Sequence, residues 1–438
     1  MRVSEEQRPD PNPEATAAVR ERFHSIERLE AILPAIQAVA AGHDGVYLVG
    51  GAVRDVLLGE QSLDLDVMVE GDAIAFAGEL AAALGVQCRA HEQFHTAVVE
   101  GAGPGGRDVR VDLASARTES YDAPGALPDV RRATLRDDLA RRDFTINAMA
   151  ASLRADDLGA TYDFFGGYRD LVQGTVRVLH DLSFTEDPTR LLRAVRYETR
   201  FAFGMDDHTE SLARAGAQGR LLATLSSTRV RDELLDLLAE ERVSAALSRM
   251  GQLGVDRALD PRVDAVAAAV HVEAAGTAMQ GPLAKVRVPL VRLACLCVGM
   301  TEGEVCEWLD RIKFRRGDRD VVGAAVGLGP TIAERLSEAT APAPSELHEL
   351  LEGQPLEVLV MAIALAREPG LVAERVHAYL ERMRGVRLEI TGDDLRRAGV
   401  PESPQIGAAL KQTLALKLDG FVGGRDDELA AALRILGR

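Results

Sequence analysis

The chain has 438 residues and a formal net charge of −17. At roughly 100–200 residues per domain that length implies two to four domains. The acidic balance excludes a general nucleic-acid coat protein, though not an enzyme with a local basic face.

Four cysteines occur with no CxxC pair, so a zinc site is not expected, and reduced thiols fit the cytosol. No apolar run reaches the length of a membrane span, and the N-terminus has no signal-peptide core. A cytoplasmic protein with no membrane partner is the expectation.

Residues 1–24 read as an acidic, proline-bearing lead, disordered or loosely attached. "SIERLEAILPAIQAVAAG" (25–42) has helical apolar spacing, and "GVYLVGG" (45–51) is a short strand ending in a glycine turn. "AVRDVLLG" (52–59) follows as one or two helical turns. "LDLDVMVEG" (63–71) reads as a strand, "DAIAFAGELAAALG" (72–85) as a helix, and "HTAVVEG" and "DVRVDLASA" as two more strands. "ARTESYDAPGALPDV" (116–130) is expected to be a mobile loop. "LRDDLARRDFTINAMAASL" (135–153) has a helical pattern, and most of the chain after residue 174 reads as helix, with "ATAPAPSE" (339–346) as a linker. The order predicts a small mixed α/β domain followed by helical ones.

Gly50 and Gly51 follow a strand and precede a helical turn, where backbone amides can approach phosphate oxygens with no Cβ in the way. Arg54, one turn later, can add a charged contact. In a strand, Asp64 and Asp66 point to one side, about 7 Å apart along the backbone. Two like charges there suit a hard cation such as Mg²⁺. Asp112 can supply a third carboxylate; read alone, an exposed strand face explains it equally well.

In "RRDFTINAMA" (141–150), Arg142 can meet a phosphate, and Asp143 and Asn147 share a face at helical spacing, from which they can read ribose hydroxyls. In "FTEDPTRLLRAVRYETRF" (184–201), Asp187 and Arg190 are i, i+3 neighbours, with Arg193, Arg196 and Arg200 continuing the stripe. Such a face suits a triphosphate or an RNA backbone. An aspartate–arginine pair can also accept the exocyclic amino group of cytosine or adenine while rejecting uracil and guanine. The "DRIKFRRGDRD" cluster (310–320) is the densest basic stretch further on, so Arg315 and Arg316 are candidate RNA-binding residues.

VGGAVRDVLLG, DLD, VDLASARTESY, RRDFTINAMA, YDFFGGYRDL and EDPTRLLRAVRYETRF, in this order, closely resemble the class II tRNA nucleotidyltransferases and the related bacterial poly(A) polymerases. The likeness is dense over residues 46–205, weakens through the helical remainder and returns in the tail. It implies an α+β fold: a polymerase-β-like nucleotidyltransferase head with a mixed sheet (25–155), a nucleotide-recognition neck (156–225), a helical body (226–340) and a helical tRNA-binding tail (341–438). It implies transfer of nucleotides from CTP and ATP to the tRNA 3′ end without a template, by a monomer or homodimer. On this resemblance Asp64 and Asp66 hold Mg²⁺ and Asp112 matches the third acidic position. Gly51, Arg54, Arg142, Arg193 and Arg196 match nucleotide-binding positions, Asp187 and Arg190 the base-reading pair, and Asp143 and Asn147 the sugar-facing motif. "SYDAPGALPDV" stands where many CCA-adding members have a charged loop and looks more like the branch that adds only the terminal A. An A-only enzyme, a poly(A) polymerase and an inactive RNA-binding module are the alternatives.

Overall fold

The computed structural model of the chain describes residues 10–23, 26–60, 64–120, 129–224 and 227–438. The chain divides into two compact units. One comprises Met1–Arg229 and Leu253–Ala258, the other Val230–Gln252 and Leu259–Arg438.

The first unit begins with helix α1 (Pro13–Phe23) and helix α2 (Glu27–Ala40). Helix α1 corrects the expectation of a loose lead: Ala15, Thr16, Val19 and Phe23 are buried, and the Asn12 amide donates to the Thr161 carbonyl at 2.8 Å. Residues 1–9 lie outside the described residues. Strand β1 (Gly45–Val49) leads into helix α3 (Gly51–Leu58), which stops at Gly59 in the left-handed region. Strand β2 (Leu65–Glu70) and helix α4 (Ala73–Leu84) follow, the helix capped by Asp72, whose carboxylate accepts from the Ile74 and Ala75 amides. Asp64 therefore stands just before its strand and not within it.

Strands β3 (Gln87–His91), β4 (Thr96–Ala102) and β5 (Asp108–Ser115) come next. The sequence pattern missed β3 because all five of its residues are exposed, so no apolar alternation marks it. The loop expected at 116–130 is corrected at both ends, where β6 (Arg117–Ser120) pairs with β7 (Asp129–Arg132), while residues 121–128 lie outside the described ones.

The helical reading of 135–153 is half right. Helix α5 (Leu135–Ala140) ends early, a single 3₁₀ turn spans Thr145–Asn147, and Met149–Ser152 is strand β8. The alanine-rich β8 lies wholly buried beside β1. Tertiary pairing there overrides helix propensity. Strand β9 (Thr161–Asp163) completes a seven-stranded sheet in the order β3-β4-β5-β2-β1-β8-β9. Within this sheet, among the described residues, only β2 and β5 pair in parallel, and their register sets Asp66 opposite Asp112. Every residue of β1 is buried, which is why it reads as an unbroken apolar run. Tyr47 from β1 meets Tyr162 edge-on, 5.7 Å between ring centres, within a core that includes Met68, Leu135 and Leu139.

Beyond the sheet come helix α6 (Gly167–Gln173), the short α7 (Ser183–Glu186) and α8 (Arg190–Phe201). The second unit is helical. Its Leu356–Leu365 helix, eight of whose ten residues are buried, packs against the helices Arg316–Leu336 and Ala265–Ala278. The helix expected to follow a linker at 339–346 already begins at Pro344.

Candidate active site

A cavity of about 640 Å³ in the first unit is lined by Gly51, Arg54, Asp64, Asp66, Arg142, Asp143, Asn147, Asp187, Arg190, Arg193 and Arg196, joined by Tyr197 and Arg229. Eleven of the thirteen residues expected to handle nucleotide and metal thus share one wall. Gly50 is adjacent to it, and Asp112 lines a neighbouring cavity that shares Asp66 and Arg142. Six arginines and four aspartates face the larger cavity, a formal charge of +2 in a chain of −17.

Gly50 turns the chain from β1 into α3 at φ 68°, and its amide donates to the Met149 carbonyl at 3.1 Å. A Cβ on Gly50 would sit 2.3 Å from Arg142 Nη1. The missing side chain makes room for that guanidinium. Arg142 Nε is buried with no partner among the described residues. Arg54, 4% exposed, donates from Nη1 to Asn147 Oδ1 (2.6 Å) and from Nε to Asp55 Oδ1 (2.8 Å).

Asp143 and Asn147 do meet, through the 3₁₀ turn and not an α-helix: Asn147 Nδ2 donates to Asp143 Oδ1 at 3.0 Å. The same oxygen accepts from the Phe144 amide (2.8 Å), and Oδ2 accepts from Arg193 Nε (2.9 Å) with Nη2 at 2.8 Å. These four donors fill a carboxylate's acceptor positions. Burial would raise the Asp143 carboxyl, but the Arg193 charge and the bonds from Asn147 and Arg193 hold it at about 2. Asp143 is therefore a hub that orients Arg193 and Asn147, and it stands on the cavity wall.

Asp187 and Arg190 are braced separately. Asp187 Oδ1 accepts from the Thr189 amide (3.1 Å) and hydroxyl (2.6 Å), and its Oδ2 accepts from Arg229. Arg190 Nη1 donates to Ser183 Oγ and Nη2 to the Arg141 carbonyl, both at 2.6 Å. Their spacing in sequence suggested a mutual pair; the structure gives each its own supports and sets both on the cavity wall.

Tyr197 was not anticipated. Its hydroxyl accepts from Arg193 Nη2 at 2.8 Å, and the guanidinium groups of Arg54, Arg193 and Arg196 lie 5.1, 5.4 and 5.5 Å from its ring centre. An aromatic inside an arginine stripe was the available signal. Arg229 had none, since it lies forty-two residues from Asp187 in an ordinary amphipathic helix, Ser227–Ala239. His180 pairs with Glu186, and Asp181 with His208.

The Asp66 carboxyl is pushed up to about 6, by burial first and then by Asp112 and Asp64, against the pull of Arg142. Crowded negative charge of this kind fits a divalent cation. Among the described residues no group of three or more metal-type side chains converges. Asp112 instead receives Arg110, Nε at 3.3 Å and Nη2 at 3.4 Å. A pair of carboxylates is still a usual Mg²⁺ donor set, because that ion keeps water and substrate phosphate in its remaining positions.

Arg315 and Arg316 lie in the second unit, at the start of the Arg316–Leu336 helix. Arg316 reaches Asp320 at 3.6 Å with its side chain 87% exposed. No helix among the described residues is long and apolar enough to cross a membrane.

Comparison with known proteins matches residues 46–177 to the Poly A polymerase head domain. The A-adding tRNA nucleotidyltransferase of Halalkalibacterium halodurans is 34% identical over 391 residues, 88% of each chain. That of Geobacter sulfurreducens is 36% identical over 400 residues, 89% of this chain but 45% of the relative, so the chain spans less than half that protein's length. A solved apo CCA-adding enzyme superposes with a TM-score of 0.82 at 33% identity, over 96% of this chain and 98% of that one.

Proposed function

Since the chain belongs to the tRNA nucleotidyltransferase family, we propose that it transfers nucleotides from ATP and CTP to the 3′ end of tRNA without a template. The carrying observation is the single cavity in which Asp64 and Asp66 face six arginines beside the Gly50–Gly51 turn. Arg142 and Arg193 take the triphosphate, with Arg54 and Arg196 adding charge on the same wall. The tRNA 3′ hydroxyl attacks the α-phosphorus in line, forming the new P–O bond as the bond to pyrophosphate breaks. Asp64 and Asp66 would hold Mg²⁺, which when bound would supply Lewis-acid chemistry that favours ionisation of the attacking hydroxyl and neutralises charge on the transferring group. Asp112, opposite Asp66, adds to the negative field there.

Base choice rests with Asp187 and Arg190. After the bonds from Thr189 and Arg229, Asp187 retains one acceptor position for an exocyclic amino group. Arg190 retains N–H groups for a ring nitrogen. Uracil and guanine put a carbonyl opposite the carboxylate and leave both unpaired.

On this reading residues 25–155 act as head, 156–225 as nucleotide-recognition neck, 226–340 as body and 341–438 as tRNA-binding tail. The enzyme works in the cytoplasm as a monomer or homodimer. The narrower reading, addition of the terminal A alone, is favoured by the "SYDAPGALPDV" segment, which carries two aspartates and no basic residue, and by the A-adding names of two of its relatives. Purified protein incubated with tRNAs ending at the discriminator base, at C and at CC, each with single nucleotides, tests both. An A-adding enzyme extends only the CC-ended tRNA, by one residue with ATP; a CCA-adding enzyme extends all three. No extension of any tRNA in Mg²⁺ refutes the function.

A further inference from the structure

Asp138, on α5, is 0% exposed, and nothing above gives it a task. Its Oδ1 accepts from Arg141 Nε (3.1 Å) and Nη2 (2.7 Å), with the Arg117 amide at 3.4 Å. Its Oδ2 accepts from Arg142 Nη2 at 3.0 Å. A buried carboxylate is tolerated only when ionic partners satisfy it. Burial alone would raise its pKa, and Arg142 and Arg141 reverse that, so it stays charged. The capping box of Thr134 and Asp137 fixes the helix end that carries it.

The two arginines it holds act on two different groups of the cavity wall. Arg142 presents Nη1 to the Gly50 turn, where phosphate is bound on the reading above. Arg141 turns its carbonyl to Arg190 Nη2, so the base-reading guanidinium is docked on the residue beside the phosphate-binding one. One carboxylate thus fixes the 141–142 dipeptide from which both ends of a nucleotide are gauged. A nucleotide is accepted when its base meets Arg190 and Asp187 while its phosphates meet Arg142, and that requires a constant separation between them.

We propose that Asp138 is a positioning residue that sets the phosphate-binding Arg142 and the base-reading Arg190 at a fixed separation. This rests on the nucleotidyl-transfer reading. It separates two properties that other variants change singly. Arg142→Lys is expected to raise KM for ATP and to leave the preference for ATP over GTP intact. Asp187→Ala lowers that preference. Asp138→Asn, which keeps the side chain's shape and loses its charge, does both.

The test uses the full chain, steady-state kinetics with ATP and GTP on a CC-ended tRNA, and melting temperatures. For Asp138→Asn we expect KM for ATP to rise and the ATP-to-GTP ratio of kcat/KM to fall, each about tenfold, the effect of loosening one charge-assisted bond. In the Arg142→Lys background the KM effect of Asp138→Asn should shrink, since both act through one contact. A merely structural carboxylate lowers both kcat/KM values by the same factor, whatever the melting temperature; that result overturns the proposal, as do unchanged KM and selectivity. Should Asp138→Asn fail to fold, Asp138→Glu keeps the charge while displacing it by one methylene, and the same double signature is required of it. A wild type that extends no tRNA removes the reading on which this rests. An active wild type with an unselectively weakened variant removes this inference alone.

Discussion

Replacing Gly50 by alanine separates backbone strain from loss of function. Gly50 holds φ 68° and ψ −131°, and Gly59, at the other end of the same helix, holds φ 81° and ψ 20°. Gly59 is ordinary left-handed helical backbone, whereas the Gly50 conformation is open almost only to glycine, so an alanine costs about 1 kcal/mol at Gly59 and about 3 kcal/mol at Gly50. For a unit of this size each kilocalorie lowers the melting temperature by about 2–4 °C. The surroundings differ. A Cβ at Gly59 meets nothing within 4 Å, whereas at Gly50 it lies 2.3 Å from Arg142 Nη1. A guanidinium at the end of a flexible chain can swing aside, so the fold survives. It must move by about 1 Å to reach ordinary contact, and misplacement on that scale costs on the order of 10²-fold in rate. Gly50→Ala should therefore lose about two decades of kcat/KM for ATP, while Gly59→Ala stays within about threefold of wild type at a smaller loss of stability. Paired melting curves and single-nucleotide extension of CC-ended tRNA read both quantities. Equal activity in the two variants would refute the claim that Gly50 is glycine for the sake of Arg142.

Arg229→Ala removes a brace from Asp187 and should raise UTP and GTP misincorporation by the equivalent of about 1 kcal/mol; single-turnover assays with all four nucleotides check it, and unchanged ratios refute it. Asp143 is held at about 2 against an ordinary 3.8, so between those values the unfolded chain binds more protons than the folded one. Its contribution, on the order of 2 kcal/mol, is complete above pH ~4 and lost as pH falls through about 2, so the stability gap between wild type and Asp143→Asn in urea melts should narrow over that window. Reversing Arg315 and Arg316 to glutamate should weaken tRNA binding and reduce the slope of log K against log salt by about two, one per lost cation; an unchanged slope assigns them to a solvated helix end.

What the sequence disclosed follows from which signals are local. The Gly50–Gly51 turn and the helices over 52–59 and 72–85 each depend on residues close in the chain, and each was legible. The alternation in "DVRVDLASA" placed Asp108, Arg110 and Asp112 on the exposed side of β5, as the burial of Val109, Val111 and Leu113 bears out. Failures came where tertiary partners decide. Met149–Ser152 carries helix-forming residues yet is a strand, because β1 and β9 flank it and bury it. Strand β3 has no apolar face to announce it. Arg229 and Asp138 were missed for one reason. A brace is recognised by what it touches, and neither Asp187 nor Arg142 advertises in sequence which distant or adjacent charge will hold it.

The site also shows how an acidic chain can present a cationic wall. Loose surface arginines would be screened and costly to immobilise when a ligand arrives. Here the means of immobilisation differ in electrostatic consequence. Arg190 is held by a serine hydroxyl and a backbone carbonyl, which orient it without cancelling its charge. Arg54 combines both kinds of support: Asp55 Oδ1 receives its Nε at 2.8 Å and its Nη2 at 2.7 Å, while the Asn147 amide oxygen and two aromatic rings hold the rest. Arg193 spends much of its charge on Asp143 and keeps a tyrosine hydroxyl as second support. Carboxylate supports fix geometry most strongly, and neutral ones preserve the field. The side chains that line the cavity sum to +2, and most of its guanidinium groups are pinned before a nucleotide enters. That balance is electrostatic preorganisation: the donors stand where charge develops, and little rearrangement is left for the moment of transfer.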